Sequence, residues 1–319
     1  MKRALVFTMD SLERRVAEAK SGGASGEILI RETLTSALEE LGVKVDVARS
    51  DREFDAMCKD LEVYAAIILD PWTWARRGWV PKEPLLGREE RVYILDFFGR
   101  QKAFARLKVP LSRMLTAFPA YPENTFLGYF VSPRCQLPPA GLPKKPQGVI
   151  WGKDARHFTG KKHLIMAVAE VAELHAVTSS HVAWMEDHQN IKQHGKLSRA
   201  DWQNLLGESR FLLGLGDPLA GPSAVDALVA GCVYLNPSYA TPKKPMYTSQ
   251  HPYLAASVGK PYVCTFPEED PAAAKACAQD AIQGEGPGPF IPGDFTRDAY
   301  MDRVRELFRG ALLDARASC

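Results

Sequence analysis

The sequence predicts an α/β protein with two doubly wound parallel sheets, and three observations lead to this class. Short apolar segments typical of buried strands alternate along the chain with segments whose apolar residues recur at helical spacing. This alternation occurs twice, once on each side of a segment rich in proline and glycine. The chain has 319 residues, enough for two domains of about 150 residues that each bury a core.

The first domain is predicted to open with a strand, a loop and a helix. Residues 4–9 are a short apolar strand, and the polar run at 21–27 ends the loop that follows. Apolar residues then recur at helical spacing up to Gly42, and alternating valines at 43–47 predict a second strand. Glu27 therefore lies in the first turn of a helix. Acidic side chains favour that position by about 0.3–1 kcal/mol through the helix dipole, which explains Glu27 without any function.

Two further strands, at 64–70 and 92–96, each end in an aspartate. Ligands bind at the carboxyl ends of the strands in such sheets, so both aspartates lie where a site is expected. Between the two strands, three tryptophans are interleaved with three cations, namely Trp72, Trp74, Trp79, Arg76, Arg77 and Lys82. These residues could line a groove for a carbohydrate or an anion, but a cap over the sheet is the favoured interpretation.

Residues 132–148, SPRCQLPPAGLPKKPQG, are the predicted interdomain linker. Proline and glycine are so frequent there that neither a helix nor a central strand is compatible with the segment. We therefore expect one domain over residues 1–140. A second domain is expected over residues 141–319, including a terminal helix at 296–313.

The second domain repeats the alternation of strands and helices. Its predicted strands lie at 148–151, 175–178, 211–213, 232–235 and 258–266. Its first two predicted helices lie at 161–174 and 197–206, the latter with Ser198 as N-cap. A further helix begins at Asp270 and Pro271, which are typical N-cap and first-turn residues.

The most informative stretch is FLLGLGDPLAGPSAVDALVAGCVYLNP at residues 211–237. It predicts a strand, a glycine-rich turn, a helix that begins at Gly221, Pro222 and Ser223, and a second strand. N–H groups in the first turn of a helix lack intrahelical partners and carry the positive end of the helix dipole, so this turn suits a diphosphate. Many strand–helix–strand units share the pattern without binding a ligand, and the pattern alone leaves both interpretations open.

Composition excludes several classes of function. A net charge of +2 with 24% charged residues gives no reason to expect nucleic acid or a membrane surface as a partner. No segment approaches the ~20 apolar residues of a membrane span, and the N-terminus lacks an apolar signal segment. We therefore expect a soluble chain, or a catalytic portion separated from its anchor.

Cysteines and histidines give no clear metal or disulfide pattern. The six cysteines include no C-x-x-C pair, their pairing stays open, and Cys232 is predicted to be a buried apolar residue. The spacings of His181, His188 and His194 fit no common set of metal ligands, so solvated loop histidines are expected.

Two doubly wound domains, a proline-rich hinge and a terminal helix that can cross back indicate the GT-B architecture of glycosyltransferases, with a cleft between the domains. Segments spread over the chain also resemble glycosyltransferase family 18, the N-acetylglucosaminyltransferase V family. YTSQHPYLAASVGKPYVCTF and FIPGDFTRDAYMDRVRELF are similar to its C-terminal signature, and the stretch at 211–237 is similar to its donor segment. Further similar segments lie at 21–47, 92–99, 118–131 and 194–210.

The resemblance implies transfer of GlcNAc from UDP-GlcNAc to a mannose of an N-glycan, in a β-1,6 linkage, with inversion and without a metal or other cofactor. The implied partners are a UDP-sugar donor and a glycan or glycoprotein acceptor, and the implied location is the Golgi lumen. The sequence agrees on the metal, because it contains no D-x-D motif that would hold a manganese diphosphate. The leaving UDP must then be stabilised by N–H groups and cations.

The same resemblance implies roles for single residues. Glu27 falls on the family's catalytic base, which takes the proton of the acceptor hydroxyl. Lys244 matches the donor-loop lysine, and Lys153 is a weaker candidate for the same diphosphate. The loop before Leu197 would hold the uracil, and Asp226 would bind hydroxyls of the ribose or sugar. The remaining donor-binding residues are Gly216, Gly221, Pro222 and Ser223, and the resemblance identifies no acceptor-binding residue.

Two departures from the family pattern leave other functions open. Ala220 stands where the family has a glutamate, and Asp226 is one methylene shorter than the family's glutamate. A charged hydrogen bond misplaced by that length costs ~1–3 kcal/mol. The loop that contains Lys244 is also shorter than usual. The alternatives are a catalytically weakened protein that binds a nucleotide sugar or glycan, and a transferase of another UDP-sugar.

Overall fold

The computed structural model of the protein describes residues 2–11, 13, 26–71, 73, 85, 88–102, 109–131 and 143–313. Three segments singled out above lie outside these residues, namely the polar run at 21–25, the residues Trp72, Trp74, Trp79, Arg76, Arg77 and Lys82, and linker residues 132–142. The chain divides into two units. The first comprises Met1–Val131 and Gly293–Cys319, and the second comprises Ser132–Pro292.

The first unit is built on a six-stranded parallel sheet. Its strands are β1 (Arg3–Phe7), β2 (Lys44–Val47), β3 (Tyr64–Leu69), β4 (Val92–Leu95), β5 (Met114–Thr116) and β6 (Thr125–Phe126). They are ordered β2-β1-β3-β4-β5-β6, so the strand order reverses between β1 and β3. Helix α1 (Gly26–Glu40) precedes β2, and α2 (Asp51–Met57) follows it.

The second unit has its own six-stranded parallel sheet. Its strands are β7 (Gln147–Trp151), β8 (Glu173–Val177), β9 (Ile191–His194), β10 (Phe211–Leu213), β11 (Val233–Ser238) and β12 (Val263–Pro267). They are ordered β12-β11-β10-β7-β8-β9, the doubly wound order in which the direction of winding reverses between β7 and β10. The predicted class, two doubly wound parallel sheets, is confirmed.

Helices lie between or after the strands of the second sheet. They are α3 (Lys162–Ala169), α4 (Arg199–Glu208), α5 (Pro222–Val229), α6 (Pro252–Ser257) and α7 (Pro271–Gln283). The predicted N-cap is present, because the Ser198 hydroxyl accepts a hydrogen bond from the Asp201 N–H. Within the part of the chain that the structure describes, no helix is both long enough and apolar enough to cross a membrane.

Each sheet has its own apolar core, because helices cover the faces of a parallel sheet. The Phe7 ring of β1 is 2% exposed and stacks on Phe54 of α2, with ring centroids 4.5 Å apart. In the second unit, Phe211 of β10 packs over Gly148 of β7. A Cβ atom at Gly148 would lie 2.1 Å from the Phe211 ring, so this glycine is required by packing rather than by a turn.

The terminal helix α8 (Arg297–Phe308) belongs to the first unit. Phe308 packs against Tyr93 of β4 with ring centroids 4.8 Å apart, and Arg303 Nε donates to the Leu127 carbonyl at 2.9 Å. The structure thus groups the chain differently from the expected domains 1–140 and 141–319. The division falls after Val131, and the last helix packs on the first sheet because its apolar residues meet β4 there.

Some local predictions were wrong at their boundaries. The predicted helix 161–174 ends earlier, because Leu174 is part of the buried strand β8. The predicted strand 258–266 begins only at Val263, because the C-cap of α6 at Val258 and the turn at Gly259, which has φ +63°, precede it. Strands β5 and β6 were not predicted, because three and two residues are too few to show a periodicity.

The prediction that His194 is a solvated loop histidine was wrong. His194 lies in β9, and its Nε2 is 2.8 Å from Nδ1 of His175 on the neighbouring strand β8. Parallel pairing of the two strands brings these distant residues together, and burial lowers the pKa of both imidazoles. His181 is exposed and His188 is half-buried. No group of three metal-binding side chains occurs among the described residues.

The structure shows one disulfide among the cysteines that it describes. Cys264 of β12 and Cys277 of α7 form a disulfide, and the prediction that Cys232 is buried is confirmed. The Cys232 thiol also donates to the Leu206 carbonyl at 3.1 Å, and burial raises its pKa to about 11. The disulfide ties the edge strand of the second sheet to the helix that follows it.

We expect removal of this disulfide, in the variant Cys264→Ala with Cys277→Ala, to lower the free energy of unfolding by about 2–3 kcal/mol. The physical reason is that the bond restricts the unfolded chain across a separation of 13 residues. Denaturant titrations with and without a reductant measure the effect. Reductant should destabilise the wild type by a similar amount and leave the double variant unchanged. Equal stability of the oxidised wild type and the double variant would contradict this expectation.

Candidate functional site

The candidate site lies in the second unit, at the carboxyl ends of β7 and β10. Strand order reverses between these two strands, and doubly wound sheets bind ligands in the crevice at such a point. Gly152 and Lys153 follow β7, and residues 214–221, which we name the glycine-rich loop, follow β10. A pocket at this place is lined by Trp151, Leu212, Leu213, Gly214, Pro218, Gly221, Ser223, Tyr234 and Gln250.

The start of α5 presents backbone N–H groups at the end of the loop. Gly221 is the N-cap and Pro222, which has no N–H, is the first helical residue. The Ala224 N–H donates to the Gly221 carbonyl at 3.2 Å. Over the described ranges, the N–H groups of Gly221 and Ser223 donate to no protein acceptor. Together with the helix dipole, these two groups can bind an anion.

Gly216, predicted to take part in donor binding, directs its N–H into the protein. This N–H donates to Gln250 Oε1 at 2.9 Å, and the Gly216 carbonyl accepts from the Tyr239 hydroxyl at 2.8 Å. Gly216 has φ +81°, and a Cβ atom there would lie 2.1 Å from Glu268 Oε1. The glycine is therefore required by the turn and by the close carboxylate, and its N–H is not available to a ligand.

A cluster of two lysines and a carboxylate lies beside the loop. Lys243 Nζ donates to the Gly216 carbonyl and to Glu268 Oε1, both at 3.0 Å, and Lys161 Nζ donates to the same carboxylate oxygen at 2.6 Å. Burial raises the pKa of Glu268, but the hydrogen bonds from Lys161 and Lys243 outweigh it and lower that pKa overall. The Lys243 ammonium also lies 4.1 Å from the centroid of the Tyr239 ring. Sequence reasoning missed Lys243, and its only signal was the Lys-Lys pair.

Lys244 and Lys153 lie elsewhere at the same sheet edge. Lys244 is exposed, with its ammonium 5.8 Å from the centroid of the Tyr247 ring. Lys153 is exposed, and its carbonyl accepts from the Ser179 hydroxyl at 2.6 Å. Lys243, by contrast, donates directly to the Gly216 carbonyl of the glycine-rich loop.

Asp226 is held by two residues of α4. Its carboxylate accepts two hydrogen bonds from the Arg199 guanidinium, each at 2.8 Å, and one from Trp202 Nε1 at 3.2 Å. A carboxylate has about four acceptor positions, so about one remains for a ligand hydroxyl. The loop before Leu197, predicted to hold the uracil, follows β9 and leads into α4. Arg199 and Trp202 were not predicted, because their partner lies 27 and 24 residues further on.

Glu27 belongs to the first unit. It is the second residue of α1, as predicted, and its side chain is exposed. Within the described part of the chain, its side chain makes no hydrogen bond or ion pair. The structure thus brings together the glycine-rich loop, the start of α5, Asp226 and Lys243, all within the second unit.

Solved structures identify the fold as GT-B, the two-domain architecture of many glycosyltransferases. A sucrose-phosphate synthase from Thermosynechococcus elongatus aligns with a TM-score of 0.58 and 11% sequence identity, covering 97% of this chain and 98% of that chain. AviGT4, a glycosyltransferase involved in avilamycin A biosynthesis, aligns with a TM-score of 0.57 and 12% identity, covering 95% and 92%.

The chain belongs to glycosyltransferase family 18, whose family model matches residues 90–311. The human alpha-1,6-mannosylglycoprotein 6-beta-N-acetylglucosaminyltransferase A is 27% identical over 346 residues, covering 91% of this chain and 45% of the relative. The Caenorhabditis elegans alpha-1,6-mannosylglycoprotein 6-beta-N-acetylglucosaminyltransferase is 26% identical over 231 residues, covering 65% of this chain and 33% of the relative. The chain thus spans less than half the length of these relatives.

The Glu268 ion pairs should make stability depend on pH. We expect Glu268→Gln to lower the free energy of unfolding at pH 7 by about 1–2 kcal/mol, because it leaves two ammonium groups without their carboxylate. The folded-state pKa of Glu268 lies below its unfolded value of about 4.3. The wild-type advantage is therefore complete above that value and is lost as the pH falls through the folded pKa.

Denaturant titrations of both proteins between pH 7 and pH 3 check this dependence. Glu269→Gln is the matched control, since Glu269 is the exposed neighbour in the chain, and its stability should follow the wild type at each pH. A Glu268→Gln deficit that stays constant down to pH 3 would rule out the ion pairs as its cause.

Proposed function

We propose that this chain is an inverting, metal-independent glycosyltransferase that moves GlcNAc from UDP-GlcNAc to a mannose of an N-glycan-type acceptor in a β-1,6 linkage. The names of the relatives support the reaction, and the family supports a transferase. The observation that carries the donor half is the start of α5, where N–H groups without protein acceptors lie beside Lys243 and the glycine-rich loop. A UDP-sugar is the class of ligand that such a site fits.

In this proposal the diphosphate is bound by the N–H groups of Gly221 and Ser223 and by a cation of the Lys243–Lys244 pair. The contacts favour Lys243 over Lys244, since its ammonium already touches the glycine-rich loop. Lys153, after β7, is a secondary candidate at the same edge. These groups would stabilise the charge that develops on UDP as the glycosidic bond breaks, which is the task a metal performs in other transferases.

A pair of variants distinguishes the two lysines. We expect Lys243→Ala to weaken UDP binding by about tenfold or more, because a charged hydrogen bond contributes about 1.5–3 kcal/mol. Lys244→Ala, with the same change of charge one residue further along, should bind UDP within about twofold of the wild type. Titration calorimetry with UDP measures both. The reverse order of effects would assign the role to Lys244.

Glu27 is the proposed catalytic base. An inverting transfer needs one carboxylate to take the proton of the acceptor hydroxyl as that oxygen attacks the anomeric carbon opposite UDP. Its exposed position in the first turn of α1 supports this role, because a general base must be accessible to the acceptor hydroxyl. Asp226, with Arg199, is the proposed contact to the hydroxyls of the ribose or sugar.

Glu27→Gln should lower kcat by about 10²–10⁴-fold while the affinity for UDP stays near that of the wild type, because only proton transfer is lost. UDP release in the presence of UDP-GlcNAc and a mannose-terminated oligosaccharide measures kcat, and calorimetry measures UDP affinity. The control is Glu39→Gln, which removes an exposed carboxylate from the other end of the same helix. Turnover by Glu27→Gln at the wild-type rate would remove Glu27 from the mechanism.

A second candidate function is binding of a nucleotide sugar or glycan without turnover. The engagement of Asp226 by Arg199 and Trp202 favours it, since most of the carboxylate is used within the protein. Calorimetry with UDP-GlcNAc, followed by UDP release over a panel of acceptors, separates the candidates. Turnover with a UDP-sugar other than UDP-GlcNAc would show that the protein is a transferase with a different donor.

The proposed location is the lumen of the Golgi, by analogy with the family. The disulfide between Cys264 and Cys277 agrees with an oxidising compartment.

A further inference from the structure

Gln250 makes four hydrogen bonds that tie the glycine-rich loop to β11. Its side-chain Oε1 accepts from the Gly216 N–H at 2.9 Å, and its Nε2 donates to the Pro218 carbonyl at 3.0 Å. Its backbone carbonyl accepts from the Ala220 N–H at 2.7 Å, and its backbone N–H donates to the Pro237 carbonyl at 2.8 Å. Gln250, which is 7% exposed, thus holds the loop at every second residue from 216 to 220.

Gln250 is itself held in place from both sides. Asn236 of β11 is fully buried; its Nδ2 donates to the Ser249 hydroxyl at 3.1 Å, and its Oδ1 accepts from the His251 N–H at 2.9 Å. The two neighbours of Gln250 are therefore fixed to the sheet. The Asn236 Nδ2 also lies 3.3 Å from the Thr265 hydroxyl of β12. This network gives the amide of Gln250 a defined position before any ligand binds.

The loop sequence is adapted to this amide. A Cβ atom at Gly214 would lie 2.2 Å from Gln250 Oε1, so only glycine admits the side chain there. Ala220 has φ +46°, a left-handed conformation that costs a non-glycine residue about 1–2 kcal/mol, and its N–H donates to the Gln250 carbonyl. Such strain persists only where surrounding contacts fix the backbone. The Gln250 contacts provide that fixation.

We propose that Gln250 is a positioning residue for the donor diphosphate. Gln250 accepts hydrogen bonds from the N–H groups of Gly216 and Ala220. These bonds hold the loop in a conformation in which the N–H groups of Gly221 and Ser223 can donate to the phosphates. The inference rests on the proposed function, because it concerns the same donor site. Without the amide, the loop becomes ordered only when UDP binds. The free energy that this ordering costs weakens UDP binding.

Two variants of Gln250 test the hydrogen bonds separately from the packing. Gln250→Met keeps the size of the side chain and removes both side-chain hydrogen bonds, whereas Gln250→Ala also leaves a cavity. We expect both to weaken UDP binding by about tenfold or more and to leave uridine binding within about twofold, because uridine has no phosphate. Calorimetry with UDP and with uridine gives the ratio of the two affinities.

Gln147→Met is the matched control. Gln147 is equally buried, at 4% exposure, and its Nε2 donates to the Ser209 hydroxyl at 3.1 Å. It lies at the start of β7, the opposite edge of the sheet from the loop, so its loss should affect stability without changing the UDP-to-uridine ratio. A Gln250→Met protein that binds UDP as tightly as the Gln147→Met protein overturns the inference.

Hydrogen exchange on the wild-type protein tests the same point without any variant. In the absence of UDP, the amides of Gly216 and Ala220 should exchange slowly, and those of Gly221 and Ser223 quickly. Added UDP should slow the second pair. Fast exchange at Gly216 and Ala220 before UDP is added overturns the role of Gln250 while the donor site stands. If the wild type binds no UDP at all, the proposed donor site fails, and the inference fails with it.

Discussion

The division of backbone N–H groups within the glycine-rich loop is the constraint on which the candidate site depends. The inner groups, at Gly216 and Ala220, donate to Gln250, whereas those of Gly221 and Ser223 have no protein acceptor in the described part of the chain. If all of them were paired internally, no donor would remain for an anion. If none were paired, the loop would have to become ordered at each binding event. The observed division avoids both extremes.

The same division explains why this loop needs its glycines. A side chain at Gly214 would collide with Gln250, and one at Gly216 would collide with Glu268. The glycines therefore admit an amide and a carboxylate close to the backbone rather than merely allowing the chain to turn. The carboxylate in turn fixes Lys243, so that two lysines share one negative charge beside the loop. The remaining positive charge adds to the field of the α5 dipole, and both favour an anion.

Local patterns predicted the elements well because they depend on neighbouring residues. The strand, turn and helix at 211–229 follow from an apolar run, two glycines and a proline at the helix start, and the N-cap Ser198 from its position before a helical period. Family resemblance gave the functional interpretation of the same stretch. Neither could show that the Gly216 N–H is already paired, because its partner lies 34 residues away.

The residues that were missed share this long-range character. Lys243 and Lys244 are identical neighbours in the sequence. The contact that distinguishes Lys243, its hydrogen bond to Glu268, spans 25 residues. The histidine pair of β8 and β9 spans 19 residues and depends on strand register. The terminal helix was expected to cross back, but its individual contacts, such as Arg303 with Leu127, separated by 176 residues, could not be predicted. Residue spacing predicts single helices and strands. It does not predict these contacts, because each of them joins two different segments of the chain.

Asp226 separates two properties of the donor site that the sequence could not distinguish. In the proposed function, the N–H groups and Lys243 bind the diphosphate, which all UDP-sugars share, and none of these groups hydrogen-bonds to Asp226. Most acceptor positions of the Asp226 carboxylate are used by Arg199 and Trp202, and its proposed role is to bind hydroxyl groups, which differ between sugars. Because the two sets are carried by different contacts, the shorter carboxylate can alter which sugar is accepted without removing the capacity to bind UDP. This separation is compatible with the second candidate function, in which the nucleotide sugar binds without turnover.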